Sequence, residues 1–332
     1  MISNPSQPAM VRLAESLDAL LLLQPPLPGT WDSRHALDRL YRVARRSIGE
    51  PLAAAAARAL LSRIRSGSLV LLTTGLVTPH VPKGETDGPP GALALARALI
   101  LGLRAEVLVL TEPSVVPVLM AGAEALATSE GDGVAWQGRL RAQDFPCDPV
   151  RAAKVARRLF TKRPPAAVVS IEKLGPNGRG VVHTMRGEDV TASQARTDLL
   201  FPLAHRSGVL TVGIGDRGNE IGMGGLLAPS PRCACPCRGG IACAVRARMP
   251  VAAFTSNWGA HAVTAALAAF LGEARLLHRP QSEARMLRAM VRAGAVDGAT
   301  RERVPTVDGT GLALQSAVLG LFQALVRSVA RP

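Results

Sequence analysis

The stretch from Val212 to Gly225 restricts what this chain can become more than any other. An apolar run from Gly208 to Ile214 has the length of a buried strand and leads directly into GIGDRGNEIGMGG (213–225). There Gly213, Gly215, Gly218, Gly222, Gly224 and Gly225 are interleaved with Asp216, Asn219 and Glu220. Glycine at that density lets a backbone turn tightly and approach a ligand closely. Carboxylates and an amide just past a strand end sit where open α/β sheets bind small molecules. A solvated Gly-rich loop is the plainer alternative, and the rest of the chain decides between them.

The same grammar recurs. Ser68 to Leu72 reads as a strand and runs into a polar loop, then GETDGPPG (84–91), then a helix from about Ala92 to Leu103. Pro89 and Pro90 suit a first helical turn, and the helix N-terminus favours an anion. Glu85, Thr86 and Asp87 stand in a row before it, with Asp87 either a cap or a ligand. A second strand and helix span 105–110 and 113–127, while residues 130–148 show no clear period. A helix over 150–161 precedes a strand at 166–170, which ends in SIEKLGP and places Glu172 at its tip. MRGEDV follows, and its Arg186 is either a bidentate clamp for a carboxylate or half of a surface salt bridge. Helical spacing over 192–205 leads into the Gly-rich strand and loop; a strand at 251–254 ends in SNWGAH. Ser256 or Asn257 can cap the helix that follows, whose free N–H groups suit a carboxylate. Helices at 281–293 and 312–329 close the chain, with TVDG (306–309) between them.

These alternations predict an α/β fold, a Rossmann-like, mostly parallel sheet flanked by helices, over residues 67–332. Residues 1–66 read as a helical segment packed on it. Its helices cover Ala9 to Leu23, Ser33 to Ser47 and Pro51 to Arg65, with Glu15, Asp18 and Asp38 on solvated faces.

The net charge of +14 raises the question of nucleic acid. The basic residues are scattered and almost all arginine, aromatics make up only 3%, and no basic run or finger spacing accompanies them, so no specific nucleic-acid partner is expected. No apolar run reads as long enough to cross a bilayer, and nothing at the N-terminus reads as a signal peptide; the cytoplasm is the expected compartment, without a membrane partner. Cys233, Cys235, Cys237 and Cys243 crowd one loop. Their spacing is not the paired C-x-x-C of structural zinc sites, which favours loop thiols that the chemistry can dispense with.

GETDGPPG, SIEKLGP, MRGEDV, GIGDRGNEIGMGG, SNWGAH and TVDG stand in one chain in one order. With these motifs the sequence resembles the D-glutamate cyclase family, from about Ser33 to the C-terminus. The resemblance implies an α/β fold and conversion of D-glutamate to 5-oxo-D-proline and water. Two departures accompany it: Arg217 where the family usually has Gly, and His261 where it usually has an aromatic.

Lactam formation needs a neutral amine to attack its own γ-carboxylate. A carboxylate base must therefore take the ammonium proton, the candidates being Asp216, Glu220 and Glu172. The attacked carboxylate must lose negative charge to a proton, an arginine or a divalent cation, Mg²⁺ or Mn²⁺, for which Asp87 and Asp216 are the candidate ligands. Glu85, Thr86, Asp87, Arg186, Asn219, Ser256 and Asn257 are the candidate substrate contacts. No nucleotide is expected, because there is no G-x-x-x-x-G-K-[ST] and the Gly-rich loop fits the dinucleotide fingerprint poorly. A homo-oligomer is compatible with all of this. Two rival classes are an enzyme of the same fold with another small amino acid or phosphorylated substrate, and a binding protein that has lost its base.

Overall fold

The computed structural model describes residues 6–26, 34–136, 138–227, 230, 232, 233 and 235–329. Its helices α1 (Gln7–Leu21), α2 (Arg34–Ile48) and α3 (Leu52–Arg63) precede strand β1 (Leu69–Thr74). Then come α4 (Pro89–Leu103), β2 (Glu106–Thr111), α5 (Val116–Glu130), a short α6 (Gly133–Trp136), β3 (Leu140–Asp144), α7 (Pro149–Lys162) and β4 (Ala167–Ile171). The remainder is α8 (Leu200–Arg206), β5 (Leu210–Gly215), β6 (Met249–Ala252), α9 (Ser256–Leu271), α10 (Pro280–Ala293) and α11 (Leu312–Val329). Ser33, where the second helix was expected to begin, lies outside the described residues.

All strands pair in parallel into one six-stranded sheet, in the order β3-β2-β1-β4-β5-β6. Parallel sheets need both faces covered, and β1, β4 and β5 are buried along their whole length. Alternate residues serve opposite faces. Val70, Leu72, Val107, Val109, Ala167 and Val169 join a core with α3, α4 and α9, while Leu69, Leu71, Leu108, Leu110 and Val168 join one with α7 and α8. The β6 edge is closed by α2 and α3, and Phe254 N–H donates to the Leu21 carbonyl at 2.8 Å just beyond it. Pro250 sits in this edge strand, where a missing N–H is tolerated.

Strand order reverses between β1 and β4. At such a switch point adjacent strands send their connections to opposite faces, leaving a crevice at the carboxyl ends. The loops after β1, β4 and β5 all open at that edge.

Four expectations need correction. The unread region 130–148 contains β3, an edge strand whose sequence LRAQD is largely exposed and therefore lacks an apolar run. The helix expected over 192–205 is broken into 3₁₀ turns at Thr191–Ser193 and Thr197–Leu199 before α8 begins. Helix α11, with 18 residues and mean hydropathy 1.5, does have the length and composition of a bilayer-crossing helix. One of its faces packs on the core through Val318, Leu319, Phe322 and Val326. Finally, Asp18 is buried rather than solvated. Its carboxylate accepts from Leu52 N–H at 2.6 Å, Ala53 N–H at 3.1 Å and Tyr41 O–H at 2.9 Å. It caps α3 from a distant helix, because Pro51 at the N-cap has no side chain to do so. Replacing Asp18 by Ala leaves those donors unmet and should cost about 1–2 kcal/mol, read as a lower urea midpoint.

Candidate functional site

The crevice at the switch point is a cavity of about 690 Å³, within the ~300–1,000 Å³ of small-molecule clefts. Glu85, Glu172, Arg217, Asn219 and Asp308 line it, with Arg186 and Arg301 exposed on its wall. Buried acids form its floor, and its rim carries Arg186 and Arg301 together with Glu188, whose Oε1 lies 3.9 Å from Arg301.

Helix ends build the floor. Asp87 accepts from Ser256 N–H at 2.9 Å and Asn257 N–H at 2.8 Å, so its carboxylate sits on the N-terminus of α9, and its Oδ1 also accepts from Gly88 N–H, at the start of α4, at 3.0 Å. Asn257 returns the contact. Its Oδ1 accepts from Gly88 N–H and Gly91 N–H, both at 2.9 Å, capping α4, and its Nδ2 donates to the Thr86 carbonyl at 3.0 Å. The anion expected at α9 is thus supplied by the chain itself. Asn257, fully buried and absent from the cavity lining, is committed to this cross-cap and not to a ligand. Gly88 is essential to the junction: at φ 93° a Cβ there would meet Glu172 Cβ and Thr74 Oγ1 at 2.7 Å.

Glu172 leaves β4 in the left-handed region, φ 46°, which costs a non-glycine residue strain and turns its side chain into the cavity. Ser256 Oγ donates to Glu172 Oε2 at 2.6 Å, so Ser256 positions Glu172. Asp87, Glu172 and Asp216 each place a carboxylate oxygen within 4.8 Å of the others. Asp216 accepts from Arg217 Nε at 2.9 Å, and the same guanidinium donates to Asp308 Oδ2 at 2.8 Å. Asp308, also left-handed at φ 49°, lies in TVDG, outside the residues expected at the site. Its Asp-Gly pair reads as a turn, which hid an acid aimed at the cavity. Asp297 holds that loop, accepting from Ala299, Thr300 and Gly309 N–H groups at 2.8–3.0 Å.

Glu220 is different. Its oxygens accept from Arg217 N–H at 3.1 Å and Gly218 N–H at 2.8 Å, and it is fully buried outside the cavity lining. It shapes the Gly-rich turn; Asp87 and Asp216 are likewise buried outside the cavity lining. Asn219 does face the cavity: Nδ2 donates to the His183 carbonyl at 2.9 Å while Oδ1 is buried without a partner. Thr86 is buried behind the floor, its hydroxyl unpaired. Arg186 stands at the rim beside Glu188.

Packing these acids together changes their protonation. Burial first, then neighbouring carboxylates, push Glu85, Asp87 and Glu172 well above the usual carboxylate range. Asp216 and Asp308 are raised from 3.8 to about 7, burial outweighing the pull of Arg217. Oδ1 of Asp216 and Oε1 of Glu85 are buried with no hydrogen-bond partner. The folded protein therefore binds these protons more tightly than the unfolded chain does. Stability present at low pH is lost as pH rises from about 4 through about 7. Urea midpoints across that window should fall for the native chain, and Asp308→Asn should flatten the slope.

With this geometry in place, the comparisons with known proteins bear on it. The family model described as "D-glutamate cyclase-like, C-terminal" matches residues 39–322. Human "D-glutamate cyclase, mitochondrial" is 34% identical over 221 residues, which is 62% of this chain and 33% of that protein. The chain thus spans about a third of the length of this curated relative.

Proposed function

Since the chain belongs to the D-glutamate cyclase-like, C-terminal family, we propose that its cavity converts D-glutamate to 5-oxo-D-proline and water. The observation that carries this reading is one cavity that sets buried, crowded carboxyl groups against arginines on its wall. Arg186, with Arg301 beside Glu188, would attract the substrate's carboxylates, and carboxyl oxygens of the floor would accept from its ammonium.

Asp308, with a pKa of about 7 and facing the cavity, suits the base that takes the ammonium proton, with Asp216 behind it. Burial and neighbouring carboxylates raise Glu172 well above the usual carboxylate range, so it would give a proton to the γ-carboxylate, removing the charge that would repel the amine. The amine nitrogen then bonds to the γ-carboxyl carbon. Nitrogen returns a proton to Glu172, and the proton on Asp308 leaves with the departing hydroxyl as water. Both acids end as they began. Because the ring is five-membered, holding glutamate folded supplies much of the rate through effective molarity.

A divalent cation, Mg²⁺ or Mn²⁺, is the alternative to a proton on Glu172: with Glu172 ionised, Asp87, Glu172 and Asp216 would offer hard oxygens close together, and Asp216 Oδ1 has no partner. Bound there, it would supply positive charge to polarise the γ-carboxylate.

The test is proton NMR of the purified chain with D- or L-glutamate, with and without Mn²⁺. The D-isomer should give 5-oxoproline. Glu172→Gln should lower kcat by about 10²–10⁴ with a normal melting temperature. Binding of D-glutamate without product under every condition would exclude the cyclase reading.

A further inference from the structure

The cysteine-rich loop takes no part in this chemistry, and its meaning changes once a distant residue is brought to it. His183, some fifty positions upstream, places Nε2 at 3.1 Å from Cys235 Sγ and 3.6 Å from Cys237 Sγ. Cys233 Sγ lies 3.2 Å from Cys235 Sγ and 3.3 Å from Cys237 Sγ. Ligand atoms of all four residues fall within 4.8 Å of one another, and the thiols are free.

We propose that Cys233, Cys235, Cys237 and His183 form a structural zinc site. Three thiolates and one imidazole are a recognised tetrahedral zinc set. With Zn–S bonds of about 2.3 Å, sulfur atoms stand about 3.8 Å apart in such a tetrahedron. The separations here lie just inside those edges, so small side-chain rotations open the cage. Any disulfide among three thiols would leave one thiol and the histidine without a role, whereas a zinc ion uses all four groups.

The surrounding backbone is built for thiolates. Gly239 N–H donates to Cys237 Sγ at 3.3 Å, and Asn177 Nδ2 lies 3.7 Å from the same sulfur. Arg238 at φ 48° turns the chain so that its N–H reaches the Cys235 carbonyl at 3.0 Å, while Cys233 N–H reaches the Gly239 carbonyl at 3.0 Å. Donors aimed at ligating sulfur tune and orient a metal's ligands. Soft thiolates select zinc over the hard cations that suit the acidic floor.

Four protein ligands leave no open position, so the metal's role is structural. It ties the 233–237 loop to the segment carrying Thr184, Met185 and Arg186, which wall the cavity. The backbone carbonyl of His183 also accepts from Asn219 Nδ2, so the ion would steady a cavity residue of the Gly-rich loop. None of this depends on which substrate the cavity takes.

The test reads metal directly. The full chain, purified without chelator, should carry about one zinc per molecule by mass spectrometry of the elements. Cobalt exchanged into it should give the thiolate charge-transfer and intense visible bands of a tetrahedral S₃N centre. Cys233→Ser with Cys237→Ser should bring zinc to near zero, and His183→Ala should weaken its retention. Cys147→Ser should keep the metal. Zinc-free native protein from zinc-replete medium, bound iron in its place, a disulfide among the three thiols, or zinc retained by the double variant would each overturn the proposal. Because the native chain is measured itself, a variant that fails to fold does not blunt the test.

Discussion

Carboxyl groups brought out of water and against one another oppose their own ionisation, and the carboxyl end of this sheet is arranged around that repulsion. Glu85, Asp87, Glu172, Asp216 and Asp308 share the space beyond β1, β4 and β5. Arg217 lies between Asp216 and Asp308 and offsets part of the charge. The rest is met by protons, by the N-terminus of α9 under Asp87, and by the Ser256 hydroxyl on Glu172. Each of these devices fixes a backbone segment, so the electrostatics and the local fold are one problem. The left-handed conformations of Glu172 and Asp308 belong to it too: both aim an acid where unstrained backbone would turn it away.

The cross-cap between Asp87 and Asn257 joins the helix after β1 to the helix after β6. Two side chains, 170 positions apart, exchange caps so that α4 and α9 enter the core with their N-termini side by side. That close approach needs Gly91, where a Cβ would meet Ala260 Cβ and Asn257 Cα at 2.9 Å. GETDGPPG and SNWGAH are therefore two halves of one junction. Their polar residues look like ligands when each motif is read alone, and several prove to bind each other.

This explains what the sequence could and could not disclose. The buried strands β1, β2, β4 and β5 announced themselves as apolar runs with acids and glycines after them, and the parallel sheet followed. The half-exposed β3 had no such run. That Glu85, Glu172 and Asn219 share a cavity, with Asp87 and Asp216 beside Glu172, follows from strand ends sharing an edge. The fates of Asn257 and Glu220 were not readable, since hydrogen-bond partners 2 or 170 residues away leave no mark in spacing. Asp308 was masked by its turn glycine, and Asp18 by a helical face that looked solvated until α3 arrived on it. The cysteine spacing alone could not show that His183, from another loop, lies against those thiols.

Crowding and burial are expected to keep protons on this acidic floor at neutral pH. Infrared difference spectroscopy of the full chain, with the Glu172→Gln and Asp308→Asn variants to assign bands, measures it directly. Protonated-carboxyl bands should persist at neutral pH, shrink in each variant, and fade only as the pH rises well past the ordinary carboxylate range. Complete ionisation of every carboxyl group at neutral pH would contradict the account.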